Sequence, residues 1–497
     1  MTDAAPEPAV DGGESKSLSQ RELVLLAASA LVALLVHAHY CFAGFGEQDA
    51  ARLAMDAVHW RADHVIYMAD VDYRLRTSPL YIHLLRIALD HGLAIRSLPK
   101  LMNGASVLVS SACMVGLYLL FRRFSGSRIA AAATVVYAFT PCFWLGSVYG
   151  MPTLLGLSCW IFAMLAFSRA AEEPKITSPR ALQFLALTLL LSWFSFALKA
   201  DLVLSAGALL GILWIENRWR SLFSVAAVGV VGAAFGLALV YASSLASVAP
   251  PSGDREGTSN LHGFLKNWNA RFPFRWEFLV DPKNNICITH AVGSVLFVLV
   301  VLALLHGFVV GGARTRFTLG MAAWGLPAIL FWGLKSGNSA RHNLPAFPGL
   351  VLLAVGLLFL LTRQNLKKAW LLIALLAGIS LLDETGGNSV APKVNLLATS
   401  RQVEGSSNSL HQRAGEFMSG PNPKKAVIEA NYLLAYSEFE VWAAAKSATS
   451  SPGNPRIVID GDRETRVYQV GNSHQARSIA QDLRRQGWDV FSVEFQL

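Results

Sequence analysis

Two carboxylates near the start of the chain are the residues best suited to chemistry. Glu47 and Asp49 lie within the segment Gly46–Arg52, directly after the first long apolar stretch. A carboxylate at such a boundary is partly desolvated, and a neighbouring arginine changes its pKa. It can then accept the proton of a hydroxyl nucleophile as a general base. The alternative is that Glu47 and Asp49 cap the helix that follows and stay solvated.

Charged groups elsewhere suit the binding of a substrate. The cations expected to pair with the two carboxylates are Arg52, Arg74 and Arg76. Lys199 and Asp201 flank a predicted turn between two apolar stretches and form a second candidate site pair. The alternative for this pair, and the commoner role, is that Lys199 and Asp201 bind each other and cap the hairpin.

The elements that position these residues are predicted to be transmembrane helices. Of the 497 residues, 53% are hydrophobic and 15% are charged, against roughly 25% charged in an ordinary soluble domain. Apolar stretches long enough to cross a bilayer recur along the chain, and a lipid-exposed backbone must form its hydrogen bonds internally. We therefore predict an α-helical integral membrane protein of about eleven spans. The predicted spans are 23–45, 101–121, 129–147, 150–168, 181–199, 201–216, 221–249, 289–310, 319–334, 343–362 and 369–382.

Loop charge predicts the orientation of these spans. With residues 1–22 in the cytoplasm, every short inner loop is basic, as the positive-inside rule requires. The inner-loop cations are Arg122, Arg123, Arg128, Arg169, Lys175, Arg180, Arg218, Arg220, Arg314, Arg316, Arg363, Lys367 and Lys368. These loops account for much of the net charge of +9, so no nucleic acid partner is predicted. We expect a multi-pass protein of the cell (inner) membrane.

The long segments then fall on the outer side. The first outer loop, 46–100, has helical spacing of apolar residues over 49–59 and 80–93, which predicts two helices lying along the membrane surface. After the membrane module 23–382, residues 383–423 have the composition of a linker. Residues 424–497 alternate strand-like and helix-like runs, which predicts a small extracytoplasmic α/β domain. Its predicted strands are 427–430, 456–460, 466–470 and 490–495, and its predicted helices are 437–446 and 473–487.

Three short motifs resemble one known superfamily. Asp49-Ala50-Ala51-Arg52, followed by Ala57, resembles the Asp-Glu-Ala-Arg-Tyr pattern of the dolichyl-phosphate-mannose protein mannosyltransferases and the lipid A aminoarabinose transferases. Thr77-Ser78-Pro79-Leu80-Tyr81 resembles their Lys-Pro-Pro-Leu segment, and Arg341-His342-Asn343-Leu344-Pro345 resembles their Arg-Tyr-Leu-Leu-Pro motif. The order and spacing of these motifs resemble the GT-C superfamily of lipid-dependent glycosyltransferases over roughly the first 380 residues.

The resemblance implies a GT-C-like fold and a glycosyltransferase that uses a polyprenyl-phosphate sugar. Asp49 falls on the catalytic aspartate of the family, and Glu47 would be its acidic companion because Ala50 replaces the second acidic residue. The lysine of Lys-Pro-Pro-Leu is also absent, and Arg76 is its nearest substitute. The residues expected to bind the donor phosphate are Arg341, His342, Lys335, Arg76 and Arg74. The residues expected to contact substrate are Arg52, Tyr81, Lys199 and Asp201.

The implied reaction is an inverting transfer to an acceptor lipid, glycan or protein at the outer face of the bilayer. Monophosphate donors in the resembling families need no metal, so neither a metal site nor another cofactor is predicted, although a divalent metal is compatible with the chemistry.

Two other classes of protein remain open at the level of sequence. A polytopic transporter or lipid flippase of the cell envelope would share the many spans and basic inner loops, but it usually carries ionisable residues near the bilayer midplane. A noncatalytic envelope assembly protein that has kept a transferase-like scaffold is the third class. The replacement of the second acidic residue by Ala50 is the feature that favours it.

Overall fold

The computed structural model of the protein is mostly helical, with one small sheet near the C-terminus. The residues that it describes are 20–41, 50, 53–54, 57, 78–94, 97–148, 150–175, 177–216, 292–335, 344–363, 365–382, 413, 416–430, 456–460, 462–470 and 473–494. Predicted span 221–249 and predicted helix 437–446 lie outside this part of the chain.

The helices follow the apolar stretches of the sequence. Within the described residues they are α1 (Gln20–His39), α2 (Pro79–Asp90), α3 (Leu98–Ala138), α4 (Pro141–Val148), α5 (Pro152–Glu172), α6 (Pro179–Leu198), a 3-10 helix (Ala200–Ser205), α7 (Gly207–Ile215), α8 (Ser294–Val310), α9 (Gly312–Lys335), α10 (Phe347–Leu361), α11 (Leu366–Leu382) and α12 (Ser473–Arg485).

Four stretches of the described chain are both long and apolar enough to cross a membrane. They are Leu98–Ala138, Pro152–Glu172, Pro179–Leu198 and Leu344–Leu361, and shorter apolar helices lie at Leu26–His39, Asp201–Ile215 and Val295–Val310. Large apolar side chains of α1, α8 and α11 are exposed along much of each helix, as lipid-facing surfaces are. The helical membrane architecture is confirmed, while the count of about eleven spans stays a prediction.

Two predicted boundaries differ from the structure. The predicted inner loop at 122–128 is shortened to a sharp break at Gly126, where φ is 78° and ψ is 165° and two helices meet. Glycine adopts this φ without the clash of a Cβ, so the second helix begins directly after the first. The predicted span 129–147 is broken, because α3 ends at Ala138 and α4 begins at Pro141. Pro141 lacks a backbone N–H and disfavours helical angles in the residue before it.

Close helix crossings hold the middle of the bundle together. A Cβ added to Gly211 of α7 would lie 2.2 Å from the carbonyl oxygen of Gly320 in α9, and one added to Gly207 would lie 2.2 Å from that of Ala323. The two backbones therefore pack in direct contact, as helices in membranes do where small residues meet.

One end of the bundle contains an ion cluster. The Arg123 guanidinium in α3 lies 2.8 Å from a carboxylate oxygen of Glu172, at the end of α5, and 2.5 Å from one of Glu216, just after α7. All three residues belong to loops or loop edges that the sequence assigns to the inner side. The structure thus brings three predicted inner helix ends together, and we call this the inner end.

The C-terminal residues form a four-stranded sheet with one helix packed on it. The strands are β1 (Lys424–Ala430), β2 (Arg456–Asp460), β3 (Arg463–Val470) and β4 (Asp489–Glu494), in the order β2-β3-β1-β4. β1 is parallel to both β3 and β4, while β2 and β3 are antiparallel. Helix α12 buries Ala476, Ala480 and Leu483 against Ala426 and Ile428. Strands therefore lie at the predicted positions, and the placement of this unit outside the membrane stays a prediction.

Candidate active site

The opposite end of the bundle is covered by two helical segments from the first predicted outer loop. Residues 50, 53, 54 and 57 are helical and fully or almost fully buried, which is the i, i+3, i+4, i+7 face of one helix. This face packs with α2 on the ends of α3, α5 and α6 in a buried group that we call the outer cluster. Its members are Ala50, Leu53, Ala54, Ala57, Tyr81, Ile82, Leu85, Leu89, Leu98, Met102, Met151 and Leu198.

Helix α2 is fastened to the bundle through the turn between α4 and α5. The Tyr81 hydroxyl donates a hydrogen bond of 2.9 Å to the carbonyl oxygen of Gly150. The N–H of Gly150 in turn donates one of 2.8 Å to Oδ1 of Asn103 in α3. A Cβ on residue 150 would lie 2.5 Å from the Cβ of Met102, so only glycine fits this crossing. One backbone position therefore joins α2 to α3.

A second tyrosine fastens the segment that follows Arg341 and His342. The Tyr137 hydroxyl donates a hydrogen bond of 2.6 Å to the carbonyl oxygen of Leu344. The side chain of Leu344 also packs over Gly146 of α4, where an added Cβ would lie 2.7 Å from Leu344 Cδ1. The short α4 segment therefore contacts the start of the predicted late span.

Lys199 and Asp201 form an ion pair beside the outer cluster. Lys199 Nζ lies 3.7 Å from Asp201 Oδ2, and the two side chains are only 10% and 17% exposed. Lys199 directly follows Leu198 of the outer cluster and ends α6, while Asp201 lies in the first turn of the 3-10 helix. This geometry matches the predicted pairing across a hairpin. The pair lies next to the end of the bundle that the outer cluster covers.

Burial changes the protonation of two side chains on α2. It raises the pKa of the Tyr81 hydroxyl well above its ordinary value, so Tyr81 remains a donor at neutral pH. Burial, with the nearby Arg86 guanidinium as the smaller cause, lowers the pKa of His83. His83 is therefore neutral at pH 7.

Most of the predicted site residues lie outside the described residues. These are Glu47, Asp49, Arg52, Arg74, Arg76, Arg341 and His342, together with the side chain of Lys335. Among the described residues, no three His, Cys, Asp or Glu side chains stand together as a metal site. The predicted catalytic roles and the cofactor expectation therefore stay predictions.

Sequence reasoning missed Asn103, Tyr137 and Gly150. Each makes its contact across a large separation in sequence, and Asn103 and Tyr137 lie inside apolar stretches that look like ordinary spans. Gly150 could have indicated a turn with a close backbone contact, because it lies two residues before Pro152 at the junction of two predicted spans.

Comparisons with known proteins agree with this architecture. Residues 99–245, which are less than half of the chain, match the family model described as dolichyl-phosphate-mannose-protein mannosyltransferase. The structure of ArnT from Cupriavidus metallidurans bound to undecaprenyl phosphate matches with a TM-score of 0.58 at 14% identity, covering 95% of this chain and 90% of that chain. The chain has the fold of a GT-C glycosyltransferase. The resemblance indicated by the sequence motifs is confirmed.

Two further matches were found among solved structures. ArnT from Cupriavidus metallidurans in the apo state matches with a TM-score of 0.56 at 14% identity, covering 94% of this chain and 89% of that chain. The Archaeoglobus fulgidus oligosaccharyltransferase in the apo form matches with a TM-score of 0.49 at 12% identity, covering 91% of this chain and 65% of that chain. No curated protein sequence matches the chain. The enzyme class that the family model and the GT-C fold indicate is glycosyltransferase, as the sequence predicted.

Proposed function

We propose that this protein transfers a sugar from a polyprenyl-phosphate donor to an acceptor at the outer face of the membrane, with inversion at the anomeric carbon. Nucleotide sugars are absent from that side, so the donor must arrive through the bilayer. ArnT, whose fold the chain shares, has been crystallised with undecaprenyl phosphate. The proposal assigns residues 1–22 to the cytoplasm and residues 424–497 to the outer side.

One observation carries the proposal. The segment that begins at Ala50, directly after Asp49, and the segment that begins at Leu344, two residues after His342, pack on the same end of the bundle. The first joins the outer cluster, to which Gly150 is fastened through Tyr81, and the second rests on Gly146. Gly146 and Gly150 are four residues apart, so their Cα atoms are at most about 15 Å apart. The described residues that follow the proposed base and the proposed phosphate ligands in sequence therefore lie at the same end of the bundle, which supports the proposal.

The proposed mechanism has one chemical step. Asp49 accepts the proton from a hydroxyl or amine of the acceptor, which attacks the anomeric carbon while the bond from that carbon to the phosphate oxygen breaks. The electron pair leaves with the polyprenyl phosphate, and Arg341 stabilises the charge that develops there. The other proposed phosphate ligands are His342, Lys335, Arg76 and Arg74, and Glu47 is the second carboxylate beside the base.

The remaining proposed contacts orient the substrates. Arg52 and the Lys199–Asp201 pair supply charged groups for the donor sugar or the acceptor. The Tyr81 hydroxyl is bonded to the Gly150 carbonyl and the side chain lies in the outer cluster, so a direct contact of Tyr81 with substrate rests on the sequence resemblance alone. Correct placement of two reactants supplies much of the rate increase in transfer reactions.

The direct test is transfer of radiolabelled sugar from a panel of polyprenyl-phosphate sugars in proteoliposomes. Asp49→Asn is expected to lower transfer about 100-fold or more, since a general base contributes about 10²–10⁴ in rate. Arg341→Ala is expected to slow transfer because the departing phosphate loses its cation. Asp90→Asn is the matched control, because Asp90 is an exposed carboxylate at the end of α2 that pairs with Arg86.

Two results would contradict the proposal. Equal transfer by wild type and Asp49→Asn would remove Asp49 from the mechanism while leaving a transferase. Folded protein that consumes none of the donors, but moves lipid or solute across the bilayer, would identify a transporter or flippase instead.

A further inference from the structure

The Tyr137–Gly150 stretch contacts the segment that begins at Leu344, and it contacts helix α2, which packs with residues 50–57 in the outer cluster. At its beginning, the Tyr137 hydroxyl holds the Leu344 carbonyl at 2.6 Å. At its end, the Gly150 carbonyl accepts the Tyr81 hydroxyl at 2.9 Å. Between them, α4 provides Gly146, against which the Leu344 side chain packs. We call this stretch the α4 bridge.

Each contact of the α4 bridge is made by a buried group with a fixed partner. Tyr137 is fully buried, and Tyr81 is 5% exposed. Asn103 is fully buried, and its Oδ1 accepts the Gly150 N–H at 2.8 Å. An unpaired polar group in this environment would be destabilising, so these bonds hold their partners in place.

The glycines of the α4 bridge make these contacts possible. At Gly150 a Cβ would stand 2.5 Å from Met102 Cβ and 2.7 Å from Asn103 Oδ1, and at Gly146 a Cβ would stand 2.7 Å from Leu344 Cδ1. Helix α3 and the segment that begins at Leu344 therefore approach the bridge more closely than a residue with a side chain would allow.

We propose that Tyr81, Asn103 and Tyr137 are positioning residues for sugar transfer. They set the separation between the segment after Asp49 and the segment after Arg341 and His342, without touching substrate through their hydroxyl or amide groups. This inference rests on the proposed function. A displacement of about 1 Å in a reacting group can cost about 100-fold in rate, so such bonds matter for turnover more than their own free energies indicate.

The two ends of the α4 bridge act on different kinetic constants. Tyr81 positions the segment next to the proposed base, which acts only in the transition state, so loss of its hydroxyl lowers kcat and leaves the donor KM unchanged. Tyr137 positions the segment next to the proposed phosphate ligands, which bind the donor before reaction as well. Loss of its hydroxyl therefore raises the donor KM.

The experiment compares three Tyr→Phe variants in the proteoliposome assay. We expect Tyr81→Phe to lower kcat about 10-fold to 100-fold with the donor KM within about twofold, and Tyr137→Phe to raise the donor KM about fivefold or more. Tyr118→Phe is the matched control, because Tyr118 is another buried tyrosine of α3, away from both ends of the bridge. It is expected to keep both constants.

A double variant and an activity-independent measurement complete the test. Tyr81→Phe and Asn103→Leu both release Gly150, so the double variant should lose about as much kcat as the worse single variant rather than the product of the two. Hydrogen exchange should become faster in residues 50–57 and 79–90 of Tyr81→Phe and stay unchanged there in Tyr118→Phe.

The outcomes separate this inference from the proposed function. If wild type shows Asp49-dependent transfer and Tyr81→Phe keeps wild-type kinetics, the positioning role is wrong and the transferase stands. If kcat and KM keep their values per folded molecule while only the yield of folded protein falls, the bonds are merely structural and the inference is overturned. If wild type transfers no sugar, the proposed function fails, and the inference fails with it.

Discussion

At the inner end of the bundle, Arg123 joins three helix ends through carboxylates of Glu172 and Glu216. At the outer end, α2 and the start of the late span are joined to the bundle by hydroxyl, amide and carbonyl groups that carry no charge. At the inner end, charged side chains fix helix ends to each other, whereas the described contacts of the outer end are mainly neutral hydrogen bonds and apolar packing.

The Lys199–Asp201 pair is a largely buried ion pair at the outer end. Its atoms lie 3.7 Å apart, which is beyond the range of a good hydrogen bond. A buried ion pair with such geometry repays its desolvation poorly. Substitutions at this pair and at Arg123 test whether the two ends of the bundle differ in function.

The largest expected effect on stability is at the inner end. Arg123→Leu should lower the free energy of unfolding by about 3 kcal/mol, because it removes the largely buried cation that joins Glu172 and Glu216. Transfer per folded molecule should stay within about twofold of wild type, since the change is remote from the proposed site. Thermal unfolding in detergent and the proteoliposome assay measure the two quantities.

Arg169→Leu is the control for this prediction. Arg169 also pairs with Glu172, but its side chain is 41% exposed, and its loss should cost at most about 1 kcal/mol. A large fall in turnover for folded Arg123→Leu would show that the inner end takes part in function. The proposed difference between the two ends would then be wrong.

The next effect concerns the outer ion pair. Lys199→Met should lower stability by about 2 kcal/mol, since it leaves the buried Asp201 carboxylate without its cation. Adding Asp201→Asn should restore much of that loss but not the transfer activity, if the pair contacts substrate as proposed. Full recovery of both stability and transfer in the double variant would show that the pair caps the hairpin and does not contact substrate.

A smaller effect is expected from the cap of α6, which follows a predicted inner loop. Ser178 Oγ accepts a hydrogen bond from the Ala181 N–H at 3.1 Å, so Ser178→Ala should cost about 1 kcal/mol in thermal unfolding. Ser178→Asp keeps an acceptor and should retain wild-type stability. Reduced transfer by either folded variant would again weaken the contrast between the two ends.

The smallest effect depends on pH. Burial raises the pKa of Tyr81 in the folded protein, so its hydroxyl keeps its proton at pH values where an unfolded tyrosine loses it, above about pH 10. The folded state then binds more protons than the unfolded state, and stability falls as pH rises through this window.

The measurement is the difference in Tm between wild type and Tyr81→Phe. Wild type should have the higher Tm at about pH 8. The difference in Tm should become smaller toward about pH 11, where an unfolded tyrosine is ionised. A difference that stays constant over this range would show that the hydroxyl of Tyr81 is not held protonated by burial.

Much of the membrane module could be predicted from apolar length and charge. The predicted span 181–199 nearly coincides with α6 (Pro179–Leu198), and the helical spacing of Ala50, Leu53, Ala54 and Ala57 correctly indicated a one-sided helix. The break predicted at 122–128 is present at Gly126 without an extended loop, whereas the unbroken span 129–147 was wrong. There a single residue, Gly126 or Pro141, changed the backbone without changing the hydropathy of the stretch.

The candidate site was less accessible to sequence reasoning. Tyr81 was correctly placed on a surface helix, but its partner Gly150 lies 69 residues later in the chain. Tyr137 and Leu344 are separated by 207 residues. No local pattern encodes such pairs, because each depends on which helix ends meet.

Composition, apolar length and loop charge were enough to establish a helical membrane protein, and short motifs were enough to indicate the GT-C superfamily. These properties depend on local transfer free energies and on residue types at fixed spacing, which a single chain displays directly. The contacts of α2 and of the Leu344 segment with the α4 bridge came from helix packing, and so did the contacts of Arg123 with its carboxylates at the opposite end. Packing depends on contacts between residues far apart in the chain, and it decided which polar groups stabilise the bundle.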